Sequence, residues 1–140
     1  MPFHAYLFYS DGKCREAFTR YQEIFGGELN IMSFADLPDG ADTMPGAKPE
    51  HVMHAALIHS DGLLMGSDDP SGDGGPRLGI SVSYTAPDIE TGRKAFEAIV
   101  EGGEVQMPFE STFWSPGFGG GVDRWGVSWM VDVATDEASA

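Results

Sequence analysis

The sequence contains one cysteine, Cys14, which excludes an internal disulfide and any fold stapled by them. Cys14 lies among helix-forming residues and reads as a partly buried thiol rather than a nucleophile. Basic residues are scarce, 8 Lys plus Arg against 22 Asp plus Glu, for a formal charge of −14. A field of that sign repels nucleic acid and anionic membrane surfaces, so neither is an expected partner. No stretch approaches the roughly 18 consecutive apolar residues of a membrane span, and no basic region followed by a long apolar run opens the chain. The expectation is a soluble, unexported, cytoplasmic protein. The Gly-x-Ser-x-Gly elbow, a Ser-His-Asp order, a phosphate loop and paired-carboxylate spacing are also missing, which removes the best-marked hydrolase and nucleotide-binding classes.

What is present is enough for a core: 140 residues, 41% of them hydrophobic, with 9 Phe, describe one ordered domain rather than a disordered chain. The acids concentrate at 36–42, 68–73 and 132–137, in Gly-, Pro- and Ser-rich company that reads as solvated loop. The run from Asp68 to Asp73 lacks the ligand spacing and terminal Glu of an EF-hand.

Taken in order, His4 to Tyr9 is extended and aromatic, ending at the Ser10-Asp11-Gly12 turn signal. Lys13 to Phe25 places Ala17, Phe18, Tyr21, Ile24 and Phe25 three and four apart, an amphipathic helix closed by Gly26 and Gly27. Glu28 to Phe34 is a second strand, Ala35 to Glu50 a long loop, and His51 to His59 with Gly62 to Ser67 a hairpin about Ser60-Asp61-Gly62. After a Gly- and Pro-rich linker the order repeats. Leu78 to Tyr84 is a strand; Pro87-Asp88 opens a helix carrying Ile89, Ala95, Phe96, Ile99 and Val100; Gly102-Gly103 closes it; Glu104 to Phe109 is the next strand.

The last unit, Phe113 to Val131, reads as a hairpin whose two aromatic-rich arms flank a turn at Asp123 to Gly126, with Gly117 and Gly119 to Gly121 supplying backbone freedom just before it. Val127, Trp129 and Val131 alternate with Ser128, Met130 and Asp132, so one face is core and the other is free to line a cavity. All three tryptophans, Trp114, Trp125 and Trp129, fall in this unit.

Two local matches support a duplication. Arg15-Glu16-Ala17-Phe18 answers Arg93-Lys94-Ala95-Phe96, and Gly26-Gly27-Glu28-Leu29 answers Gly102-Gly103-Glu104-Val105, each at the same place relative to its helix. The expected fold is α+β: two tandem βαβββ units, about residues 3–68 and 78–134, joined by a linker at 69–77 within a single 1–140 domain. A sheet with its helix on one face leaves the other face for a partner or a groove.

The wording Tyr6-Leu7-Phe8-Tyr9, Glu16-Ala17-Phe18, Tyr21 and Phe25-Gly26-Gly27-Glu28 resembles the vicinal oxygen chelate superfamily, which includes glyoxalase I, extradiol dioxygenases and bleomycin and fosfomycin resistance proteins. His54-Ala55-Ala56-Leu57, Leu64-Met65-Gly66-Ser67-Asp68, and Phe113-Trp114 followed by Gly117, Gly121, Asp123, Gly126 and Trp129 resemble its PhnB-like branch. The resemblance implies a cupped mixed sheet with helices outside, completed in a homodimer, its units paired within one chain or swapped between two, around a small-molecule cavity. In metal-using relatives His and Glu or Gln from the first and fourth strand of each unit hold a divalent ion. Here His4 or Tyr6 could occupy the first position. Leu64 to Ser67 offer no imidazole or carboxylate before Asp68, Gly79, Ile80, Ser81 and Ser83 supply no His, and Met130 replaces Glu. A divalent metal is an open cofactor and no residue is assigned as its ligand.

His54 reads either as a hydrogen-bonded wall residue or as a proton-transfer group for a carbonyl compound. Glu110 reads either as an exposed loop acid or as a base or polar anchor. Asp123 is most simply a turn residue bonding nearby amides. Two functions follow. The first is a small-molecule binding protein whose ligand, hydrophobic or planar, is held by His4, Tyr6, Phe8, His54, Met65, Phe113, Trp114 and Trp129. The alternative is a lyase- or isomerase-like enzyme with His54 and Glu110 as catalytic acid-base groups. A methyltransferase is not expected, since no Gly-rich strand-to-helix loop for a methyl-donor nucleotide is present.

Overall fold

The computed structural model describes residues 3–38, 46–60, 62–71 and 79–135. Residues 39–45 of the long loop, Asp61 of the first hairpin turn, most of the linker, Leu78 and the end of the acidic tail lie outside the described residues. The chain divides into two compact units, Met1–Gly74 and Gly75–Ala140.

The first unit runs β1 (Ala5–Tyr9), α1 (Cys14–Phe25), β2 (Glu28–Ser33), β3 (Val52–His59) and β4 (Gly62–Asp68), with a single 3-10 turn at Phe34–Asp36 after β2. Its sheet has the order β1-β4-β3-β2, with β1 parallel to β4 and the other pairs antiparallel. The apolar spacing in α1 buries Cys14, Ala17, Phe18 and Tyr21 against one face of this sheet. Leu7 and Tyr9 of β1 and Ala55 and Leu57 of β3 meet that helix, and the Tyr9 hydroxyl donates to Tyr21 Oη at 2.9 Å within the core. Because strand side chains alternate, Tyr6 and Phe8 project from the opposite face, 38% and 50% exposed.

Asp68, expected in a solvated acidic loop, is instead the buried last residue of β4. Its Oδ1 accepts from Cys14 N at 2.9 Å and its Oδ2 from Val52 N at 2.7 Å. Lys13, at the N-cap of α1, makes no side-chain cap, so a carboxylate from another strand supplies the missing acceptor. Both burial and the neighbouring Asp68 carboxylate push the Cys14 thiol far up, which leaves it protonated and unreactive.

The second unit runs β5 (Val82–Ala86), α2 (Ile89–Val100), β6 (Glu104–Glu110), β7 (Phe118–Val122) and β8 (Ser128–Val133). Its order, β5-β8-β7-β6 with β5 parallel to β8, repeats that of the first unit. The βαβββ duplication expected from the sequence is therefore present. Here the helix is capped locally: Asp88 Oδ1 accepts from Thr91 N at 2.7 Å.

Three expectations change. The strand placed at Leu78 to Tyr84 begins at Val82 and continues to Ala86. In the final hairpin, the glycines expected to precede the turn form the strand itself, and Phe113 and Trp114 lie in the loop before it. The reason is packing. A Cβ on Gly121 would stand 2.6 Å from Val100 Cγ1, and one on Gly119 would stand 2.9 Å from Phe96 Cε1, so β7 is glycine-rich where α2 presses on it. Third, Trp129 is core and not ligand surface: it is 2% exposed, and its indole N–H donates to Asp123 Oδ2 at 3.0 Å. Asp123 also accepts from Trp125 N and Val127 N, so the expected turn carboxylate additionally anchors the buried indole.

Candidate functional site

In each unit the helix covers one sheet face, and the residues placed by alternation on the other face are the candidates for function. In the first unit that face carries Tyr6 and Phe8 from β1, Met65 from β4, and His54 and Ala56 from β3. Tyr6 is directly opposite Met65, Met65 opposite Ala56, and His54 opposite Met32 of β2. A register irregularity at the end of β2 shifts the pairing between Met32–His54 and Ser33–Val52, which lets Val52 and His54 point to different faces.

Four expected residues thus share one surface: Tyr6, Phe8, His54 and Met65. The Tyr6 hydroxyl and His54 Nδ1 are hydrogen-bonded at 3.1 Å, and their rings lie 5.7 Å apart; Phe8 stacks at a tilt on Tyr6 at 5.2 Å. This is an aromatic platform with one imidazole whose ring orientation is fixed by a phenol. His4 precedes β1 and is exposed.

In the second unit, Glu110 ends β6 opposite Phe118 of β7. Phe113, 97% exposed, and Trp114, 54% exposed, form an edge-to-face pair at 4.7 Å, and Trp114 meets Phe118 edge-on at 5.6 Å. The loop that presents them is internally braced: Thr112 N donates to Ser115 O at 2.9 Å, and the buried Ser115 hydroxyl donates to Gly117 O at 2.7 Å. Glu110 and Phe113–Trp114 therefore belong to one neighbourhood of this unit, from which Trp129 is absent. The sequence reading did not single out Phe118 or Asp132, although the alternation with buried Trp129, Val131 and Val133 puts Asp132 on the uncovered face.

The strand positions at which metal-using relatives carry ligands hold no matching donors. Ser83 and Thr85 occupy uncovered positions of β5, and Met130, where the resemblance places Glu, shares the uncovered face of β8 with Asp132. Among the described residues no three His, Cys, Asp or Glu are grouped to hold a metal ion. Among the described residues, the donors at those positions do not fit the metal centre that the superfamily resemblance implies.

No family model matches the chain. It is 29% identical over 145 residues to protein YjdN of Escherichia coli (strain K12), covering 98% of each. Among solved structures it is similar to protein PA1353 from Pseudomonas aeruginosa, with 38% identity, a TM-score of 0.83, and coverage of 97% of this chain and 99% of that one. It is also similar to the PhnB protein from Bacillus cereus, with 26% identity, a TM-score of 0.72, and coverage of 96% and 100%. The fold alone is shared with the fosfomycin resistance protein FosX from Listeria monocytogenes, at 13% identity and a TM-score of 0.63 over 100% of this chain and 98% of that one. With the duplicated βαβββ topology and the full-length similarity to PA1353 and to the Bacillus cereus PhnB protein, the chain belongs to the vicinal oxygen chelate superfamily, in its PhnB-like branch.

Proposed function

We propose that this protein binds a small hydrophobic or planar molecule on an uncovered sheet face, with Tyr6, Phe8, His54 and Met65 as the ligand-contacting residues of the first unit's face and, separately, Phe113 and Trp114 as those of the second unit's. The observation that carries this reading is the Tyr6–His54 hydrogen bond set in an exposed aromatic surface. Exposed rings gain free energy when an apolar ligand displaces their water, and one fixed imidazole gives such a ligand a polar point of attachment. Isothermal titration with planar aromatic compounds tests it. Wild-type protein binds, Phe8→Ala weakens binding by about tenfold or more, in keeping with loss of a stacked ring, and Tyr6→Phe weakens it less. Equal affinities in the wild type and Phe8→Ala would remove the reading.

The same hydrogen bond favours a second reading, a lyase- or isomerase-like enzyme. A phenol that fixes the imidazole orients it for proton transfer, with His54 as the general acid-base group of the first unit and Glu110 as the candidate acid-base group of the second, each taken by itself. In that case His54→Ala and Glu110→Ala each abolish turnover with unfolding midpoints unchanged; full turnover in both variants eliminates it. The protein acts as a cytoplasmic homodimer on this account. The free Cys14 suits a reducing compartment, and the edge strands of each sheet, β1 and β2 in one and β5 and β6 in the other, offer places for a second copy to pair. Light scattering after size exclusion, giving twice the 15.0 kDa chain mass, is the check.

A further inference from the structure

Asp132 Oδ1 is buried and has no hydrogen-bond partner among the described residues. A buried carboxylate oxygen without a donor is costly, and native proteins retain one mainly where something else supplies the donor. Asp132 belongs to β8 between buried Val131 and Val133, so its side chain leaves the sheet on the face away from α2, and the residue as a whole is only partly covered.

The register places it in a row crossing the whole sheet. Thr85 of β5 is opposite Asp132, Asp132 opposite Phe118 of β7, and Phe118 opposite Glu110 of β6. Adjacent strands are about 4.8 Å apart, so the acids flank Phe118 at about 5 Å on either side. Trp114 stands against that phenyl ring at 5.6 Å and closes one side. An acid, an aromatic ring and a second acid in line are the surroundings that a cation prefers over a neutral group or an anion.

Nothing on the sheet competes for that position. None of the strands of this unit contains Lys or Arg. Its described basic side chains are engaged elsewhere: Arg93, on α2, covers Phe109, and Arg124 bonds to Glu101 and covers Trp125. Lys94 also belongs to α2 and not to a strand of the sheet.

We infer that the uncovered face of the second sheet binds a protonated amine or guanidinium carried by an apolar ligand, with Asp132 as the anchoring carboxylate and Phe118 as the ring beneath the cation. The inference rests on the small-molecule binding reading and gives it a ligand class. A donor is required to satisfy the orphaned oxygen, and a cationic N–H donor also neutralises the carboxylate, which an alcohol O–H does not. Glu110 then acts as the outer, solvent-facing acid, and the chain charge of −14 draws cations toward the protein.

Three probes of one shape decide the matter by isothermal titration at pH 7: 1-naphthylmethylamine, 1-naphthalenemethanol and 1-naphthoate. The amine is expected to bind at least about tenfold more tightly than the alcohol, and the naphthoate most weakly. Asp132→Asn should bring the ratio of amine to alcohol affinity down to about one, and ligand-free Asp132→Asn should unfold at no lower temperature than the wild type. Alcohol binding with no preference for the amine, or a preference that survives in Asp132→Asn, overturns this inference alone. Silence from all three probes overturns the binding reading and this inference with it. The wild-type ratio of amine to alcohol affinity decides the question even if the variant fails to fold.

Discussion

Asp68 Oδ1 accepts a hydrogen bond from the backbone amide of Cys14 at 2.9 Å, so the first helix is capped by a carboxylate 54 residues away in sequence. The same side chain holds Val52 N through its other oxygen, tying the helix start, the β3 start and the β4 end to one buried group. Asp68→Ala removes two charge-assisted bonds and leaves two buried amides unpaired. The expected loss is roughly 3 kcal/mol, or about 10 °C in Tm for a chain of this length. Asp68→Asn, which keeps one acceptor, should lose less. A Tm change under about 2 °C in Asp68→Ala would show that the amides find other acceptors.

Cys14 should be inert while the protein is folded. Burial first, and then the Asp68 charge, raise its thiol well above the ordinary range, so the neutral form persists through alkaline pH. Ellman's reagent at pH 8 is expected to label no thiol in native protein and one per chain in guanidinium. Rapid labelling of the native state would contradict the burial of this residue.

Trp129→Phe should destabilise the second unit through Asp123. Loss of the indole N–H leaves Oδ2 without that donor inside the core, at a cost of about 2 kcal/mol. Chemical denaturation should show a lower midpoint with an unchanged slope. Ligand affinity should be unaffected, because Trp129 lies on the helix side.

The α2 cap gives a pH signature. Hydrogen bonds from the Thr91 backbone and side chain hold Asp88 below its ordinary value. A carboxyl depressed in the folded state contributes stability above its unfolded value and loses that contribution as pH falls through its folded value. Asp88→Ala should therefore lower Tm at pH 7, with the gap to wild type closing as the solution is acidified below the ordinary Asp range. A gap constant down to pH 2 would mean that the cap bond contributes nothing.

The duplicated order of elements was legible because each helix carries a clear apolar period and ends in paired glycines. The alternation around Trp129 was legible as well, and followed strictly it assigns Trp129 to the core and Asp132 to the open face. The glycine strand was harder to read. Phe-Gly-Gly-Gly-Val has the local chemistry of a turn, and the close approach of Phe96 and Val100 from α2, and of Glu104 and Phe109 from β6, explains why glycine is needed at positions 119 and 121 of a strand. Asp68 was hidden for a related reason. The residues that follow it read as loop, while its hydrogen-bond partners, Cys14 and Val52, are far along the chain. The Tyr6–His54 contact was missed in part: both residues were candidates, but no sequence spacing joins positions on two strands that are not adjacent in the sheet.

Whether the sheet face away from α1 binds ligand is read from two-dimensional 1H–15N NMR of labelled protein titrated with 1-naphthalenemethanol. Saturable shifts are expected at Tyr6, Phe8, His54 and Met65, with Tyr9, Phe18 and Tyr21, beneath α1, little changed. Shifts confined to the helices, or no saturable shifts at those four residues, would contradict binding at this face.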